Sequence, residues 1–412
     1  MELDADSVIN LILQIRDPQT VNEATNHILQ FLRIPQSINI LFQIISNPEN
    51  IEYVDQFTIL SISQYCEINR EFINHDLLNF IRSNLLQILI GIKKESYLPI
   101  LLRTISVVIN LFPSSWPEIQ EYAFSAFDPS TIIIRVELLS MLITYLPEET
   151  VLNQLGVFIQ LLQAVYQSDN MNLQCTSVFL AVKIAEKTQN IQLVSQLRPY
   201  ISNLLKNVIL NSDYDSNLLN QILNPIDEVK SLDFDLIDVN FVIDLTINSI
   251  SAKEMPLYFK IQINNLTSLC LRHLECTIPY DKLRHILINE FSLSIQLYAN
   301  EKEDQTNSWI YEVGNVIDCI FYRMTSQQVI QNVKSNFYAY YQNPIEGIRF
   351  FQLILLHELI MTELPNIENL LIESFPHVLC LLEDPSPRVR NFSAVVLGHI
   401  SPFIKSHIID EL

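Results

Sequence analysis

Glycine is nearly missing from this chain: 5 residues in 412, against an ordinary usage of about 7%. Phosphate-cradling loops, tight hairpins and bulged strands all use glycine, because only glycine takes positive φ without steric cost. Its scarcity weighs against sheets and against nucleotide loops, and neither GxGxxG nor GxxxxGK[ST] occurs. Basic residues are also short, 25 Lys and Arg against 46 Asp and Glu, for a net charge of −21. That balance disfavours nucleic acid, whose phosphates need Lys and Arg, and favours basic partners. It also serves solubility. No CxxC pair occurs, and Cys66, Cys175, Cys270, Cys276, Cys319 and Cys380 are expected to be mostly buried free thiols of a reducing compartment. No apolar run is long enough to span a bilayer, because Arg103 and Arg135 break the best candidates. The acidic start MELDADSVIN lacks the basic region of a secretory signal. The reading is a soluble protein without membrane insertion.

Catalytic and metal motifs are equally scarce. "HELIM" (357–361) opens like a zinc-protease helix but lacks its second histidine. His357 is therefore expected at a helix interface. Cys270, His273 and Cys276 could share a helix face, but no fourth ligand is evident. No nucleophile has a recognisable setting. The chain reads as a non-enzyme with no metal and no cofactor.

What is abundant is apolar residues, 49% of the chain, at three- and four-residue spacing almost throughout, the mark of helices with one buried stripe. LRTISVVINLF (102–112), IRVELLSMLITYL (134–146), IRFFQLILLHEL (348–359) and VRNFSAVVLGHI (389–400) each open on an apolar residue followed by arginine. Such self-similarity at a period of about 40 residues, with two helices per unit, is the signature of HEAT repeats. Breaks at Pro, Asn, Asp and Ser clusters predict ten helix pairs over 3–33, 36–68, 72–112, 115–146, 149–189, 192–232, 236–277, 280–324, 326–363 and 366–404. The fold expected is an all-α solenoid of about ten HEAT repeats over 1–412, winding as one right-handed superhelix. A kink or break is expected at Pro225.

LLEDPSPRVRNFSAVVLGHI (381–400) illustrates one unit. Asp384 is placed to cap the second helix, and Pro387 falls in its first turn, where no N–H is needed. Val389 should enter the core and Arg390 should reach an acidic group on a neighbouring repeat. Ala394, Leu397 and Gly398 should keep the helix thin for close stacking.

The irregular features carry a resemblance. Trp116 sits in FPSSWPEIQEYAFSAF (112–127), opening the fourth pair, where it should anchor the core. Trp309 ends NEKEDQTNSW (300–309), an acidic, polar insert between the helices of the eighth pair. Asn343-Pro344 with Arg349, then Asp384-Pro385-Ser386 with Val389-Arg390, follow in order. This succession resembles the N-terminal half of importin-β and the β-karyopherins more broadly. It departs from importin-β in its diluted acidic insert and in Ile345, which stands where that family has tryptophan. It also spans only about half of the family's repeats.

The resemblance implies an importin N-terminal-like region over 1–112, HEAT repeats over 113–404 and an acidic insert over 299–309. It implies a nuclear transport receptor shuttling between cytoplasm and nucleus through the pores. Glu301, Glu303, Asp304 and Trp309 would contact Ran-GTP. Phe158, Ile159 and Leu162 of the fifth pair, with Tyr200 and Ile201 of the sixth, would form pockets for phenylalanine-glycine nucleoporins. The same apolar residues also fit ordinary inter-repeat core. Basic cargo or importin-α would be the further partner. The competing reading is a non-transport HEAT scaffold or adaptor.

Overall fold

The computed structural model describes residues 4–91, 95–113, 115–126, 130–228, 236–252, 254–272, 277–300 and 308–410. Among these residues every regular element is a helix. The chain divides into two compact units, Met1–Ser168 and Asp169–Leu412.

The first unit holds α1 (Ala5–Gln14), α2 (Val21–Leu32), α3 (Ser37–Ile45), α4 (Glu52–Ile68), α5 (His75–Ile90), α6 (Leu98–Leu111), α7 (Pro117–Phe124), α8 (Ile132–Leu142), α9 (Glu148–Asn153) and α10 (Leu155–Tyr166). α2, α4, α6 and α8 stack in serial order as one layer, and α1, α3, α5 and α7 supply the partner helices. α2 and α3 turn through 114°, and no single helix among the described residues is long and apolar enough to cross a membrane.

The second unit holds α11 (Met171–Thr188), α12 (Ile191–Asn211), α13 (Ser216–Glu228), α14 (Val239–Ile250), α15 (Leu257–Leu271), α16 (Tyr280–Asn300), α17 (Ser308–Arg323), α18 (Ser326–Tyr340), α19 (Glu346–Met361), α20 (Glu368–Cys380) and α21 (Pro387–Asp410). Here α11, α13, α15, α17, α19 and α21 stack consecutively, each second helix on the next, while α12, α14 and α16 do the same on the other side. This is the all-α solenoid expected; α9 is a short helix before α10, and α21 runs to Asp410, past the 404 expected.

Helix starts are fixed by short polar side chains. Asn74, Asn170 and Asp238 accept from the backbone N–H three residues on, at 3.0, 3.0 and 3.1 Å. Thr325 and Gln328 complete a capping box. With glycine scarce, the left-handed turns fall to other residues: Gln189, Asp213, Tyr214, Glu363 and Asn366 all have positive φ, and no described glycine does. Such a conformation costs an L-residue about 1–2 kcal/mol.

Three local expectations come out differently. α13 runs through Pro225 to Glu228 without a break, since a proline removes only one bond from a helix otherwise held by packing on α11 and α15. Arg390 turns back on its own turn and donates to the Asp384 and Pro385 carbonyls at 2.6 and 3.0 Å. Ala394 and Gly398 are exposed, and a Cβ at Gly398 would meet nothing within 4 Å. Val389 is fully buried and Pro387 opens α21. Among the cysteines, Cys66, Cys175 and Cys270 are buried, Cys319 is half-buried and Cys380 is exposed. Cys276 lies outside the described residues.

Candidate functional site

The turn that opens the fourth pair is built around Trp116, which is 4% exposed. Arg82 of α5 lies 5.4 Å from its ring centroid and donates to the carbonyls of Phe112 and Ser115, both at 3.0 Å. A guanidinium therefore satisfies two carbonyls of the turn that precedes Pro117. Burial pulls the Arg82 pKa down, with Glu118 opposing.

Arg135, Arg349 and Arg390 each stand fourth in a second helix. Arg349 donates to its own turn, to Asn343 O at 2.6 Å and Pro344 O at 3.2 Å, six and five residues back, as Arg390 does. It also reaches the next pair, binding both Asp384 oxygens. Asp384 is 7% exposed and further accepts from Ser386 N at 2.9 Å. Its main work is thus inter-repeat pairing, while Ser386 Oγ lies 3.4 Å from Val389 N at the helix start. The Arg349 pKa is raised, first by the hydrogen bond to Asp384.

Beside this pair, Tyr298 near the end of α16 donates to Glu346 Oε1, which also accepts from Ser386. Tyr298 Oη and Ser386 Oγ are 3.0 Å apart. Arg388 lies over the tyrosine ring at 4.9 Å and donates to the Tyr298 carbonyl. Burial, then the hydrogen bond it donates to Glu346, pushes the Tyr298 hydroxyl pKa up. Sequence reading missed this network, which joins three helix pairs. Ser386, in the Asp384-Pro385-Ser386 motif, was its visible trace.

The candidate Ran residues Glu301, Glu303 and Asp304 lie outside the described residues. Trp309 is 6% exposed, its ring 5.9 Å from that of Phe350 on α19. It anchors the start of α17 in the core.

The candidate nucleoporin residues fall in both units and are taken unit by unit. On α10, Phe158 is buried edge-on to Phe124 at 5.5 Å, Leu162 is buried, and Ile159 is half-exposed. On α12, Ile201 is buried and Tyr200 half-exposed. Burial pushes the Tyr200 hydroxyl pKa up. Ile159 in the first unit and Tyr200 in the second are the members that keep some solvent exposure.

His357 lies in a helix interface, with Nδ1 2.9 Å from Glu358 Oε1 and its ring against Phe392 and His399. Among the described residues, no group of three His, Cys, Asp or Glu side chains is placed to hold a metal. His273 and Cys276 are outside them.

No protein-family model and no curated sequence matches this chain. Among solved structures it is similar to Kap121p, a karyopherin. Bound to Ste12p, Kap121p superposes at a TM-score of 0.68 and 15% identity over 98% of this chain and 42% of its own. The RanGTP complex gives 0.67 at 14% over 98% and 41%. The Nup53p complex gives 0.67 at 14% over 96% and 40%. At such identity the likeness is one of fold, and this chain spans about two-fifths of the length of the Kap121p chains it matches.

Proposed function

We propose that this chain, with a karyopherin's fold, works as a nuclear transport receptor of the importin-β type, shuttling between cytoplasm and nucleus. Its partners on this reading are Ran in the GTP form, phenylalanine-glycine nucleoporins, and basic cargo or importin-α. The carrying observation is that 96–98% of the chain superposes on Kap121p, a protein solved with RanGTP, Nup53p and Ste12p. The net charge of −21 adds physical support, since it draws basic partners at long range. Glu301, Glu303 and Asp304, directly before the anchored Trp309, are the residues assigned to Ran. Ile159 and Tyr200 are the accessible members of the nucleoporin set, and many weak contacts of this kind would sum to useful retention.

The test is binding of the purified chain to Ran loaded with GTP and, separately, with GDP. A strong GTP preference that weakens with salt is expected. Retention on phenylalanine-glycine beads should fall on Ile159→Lys with Tyr200→Lys. Equal binding to both nucleotide forms, with no bead retention, would leave a scaffold of the same fold.

A further inference from the structure

Between α15, α16 and α17 lies a buried polar cluster that the proposed function does not use. Glu290 of α16 and Asn264 of α15 are both 0% exposed. Asn264 Nδ2 donates to the Glu312 carbonyl of α17 at 3.2 Å. A carbonyl only accepts, so this bond fixes which end of the amide is nitrogen and leaves Oδ1 as an acceptor. Asn264 Oδ1 and both Glu290 oxygens have no hydrogen-bond partner among the described residues. Asn264 is also the side chain that bears on Glu290. Three acceptors are therefore shut in with a single spare donor, the second N–H of Asn264.

The charged groups on the helices around α16 are engaged elsewhere. On α14, Asp244 pairs with Lys282 at 2.6 Å. On α15, Lys260 donates to Gln296 at 3.2 Å and Arg272 pairs with Asp227. On α17, the Glu312 side chain lines a hollow, Asp318 feels Glu358, and Arg323 donates to the Leu271 carbonyl. On α18, Lys334 pairs with Glu373. On α19, Glu346 accepts from Tyr298 and Ser386, Arg349 holds Asp384, and His357 meets Glu358. On α21, Arg388 lies over Tyr298. Among the described residues no cation acts on Glu290 to hold it ionised.

One proton settles the count. A neutral carboxyl has an O–H to give and a carbonyl oxygen to receive, which matches the oxygen and the spare N–H of a primary amide. We infer that Glu290 and Asn264 form an acid–amide clasp, the Glu290 O–H donating to Asn264 Oδ1 and the second Asn264 N–H donating back, so that opening this interface releases a proton. Because the other Asn264 N–H holds α17, the clasp ties three helices of two successive pairs. A carboxylate cannot close it, having no O–H. Parting α15 from α16 admits water, and a hydrated Glu290 ionises above about pH 4.3. Above that pH the open fraction should grow about tenfold per pH unit, until the closed form itself ionises. The inference is independent of the transport reading, and its test involves no partner.

The experiment is amide hydrogen exchange of the full chain from pH 5 to pH 7, in urea below the unfolding transition so that slow amides come into range. Hydroxide catalysis contributes one factor of ten per pH unit at every amide. Amides of α15 and α16 uncovered by this opening should gain a second, about a hundredfold per unit in all. Those of α4 should show the single factor. Glu290→Gln should return α15 and α16 to the single factor. Asn264→Leu should raise their opening about tenfold at pH 5, the worth of one lost buried hydrogen bond. The infrared difference between the unmodified chain and Glu290→Gln should carry a protonated-carboxyl band at pH 7. A single factor in the unmodified chain overturns the inference, and that slope is read without any variant. So does a hundredfold slope that survives Glu290→Gln, opening indifferent to Asn264→Leu, or a carboxylate band at pH 7.

Discussion

Arg349 of α19 grips Asp384 across the boundary between two helix pairs, Nε to Oδ2 at 2.6 Å and Nη2 to Oδ1 at 2.7 Å. Both side chains are nearly out of solvent, at 10% and 3% exposure. Removing one partner leaves the other charged and buried. Asp384→Ala should therefore cost about 3–5 kcal/mol, and Arg349→Met with Asp384→Leu distinctly less than either single change. Urea denaturation of the three variants measures this.

Glu290 on α16 is fully buried with neither carboxyl oxygen hydrogen-bonded among the described residues. Burial raises its pKa well above the usual range, with Asn264 opposing. The folded chain thus holds a proton that the unfolded chain releases above about pH 4.3. The stability from keeping that group neutral is complete below this pH and is lost as pH climbs toward the folded pKa. Glu290→Gln should therefore be more stabilising at pH 8 than at pH 5. Thermal melts at the two pH values check the sign, and an advantage confined to low pH contradicts it.

Cysteine reactivity should follow burial. The Cys66 and Cys175 thiols are pushed up to about 12 by desolvation, reinforced by Glu67 and Asp215 respectively. Cys380 is exposed. A thiol reagent at pH 8 should modify Cys380 in the native protein, and Cys66 and Cys175 only after denaturant is added. Mass spectrometry of the labelled peptides distinguishes them.

Two glycine exchanges should stabilise. Gln189 ends α11 at φ 45°, so Gln189→Gly relieves a left-handed conformation and should gain about 0.5–1 kcal/mol. Gly398 has open space where a Cβ would stand, so Gly398→Ala within α21 should gain a similar amount, about 0.5–1 kcal/mol. Gly347→Ala should not, because its Cβ would press on Tyr298 at 3.3 Å. Differential scanning calorimetry of the three decides.

Trp309→Ala should cost about 3–5 kcal/mol, the price of a large core side chain, through lost contact with Phe350. Trp116→Ala should cost a similar amount and also free Arg82 from its turn. Chemical denaturation with a fluorescence-independent probe such as circular dichroism suits both.

Helix placement was legible because apolar spacing and polar starts such as Asn170 and Asp238 are local signals. Val389 and Trp116 were legible as core for the same reason. What the sequence hid was the choice of partner between repeats. Arg349 and Arg390 occupy equivalent helix positions and both donate to carbonyls of their own turn, and Arg349 also reaches an acid on the next pair. Asp384 looks like a helix cap because it precedes Pro387, and the arginine that claims it lies 35 residues away. Phe158, Leu162 and Ile201 carry the apolar spacing of a pocket and of a core alike, and burial is what separates the two.

Tyr298 bonds Glu346 on the adjacent pair and also Ser386, 88 residues away and one pair further on. Most links in a stacked array join immediate neighbours only, so it can lengthen like a coil with each turn opening a little. A tie that skips a turn acts as a splint. Pulled from its ends, the second unit should open elsewhere before it parts between α16 and α21.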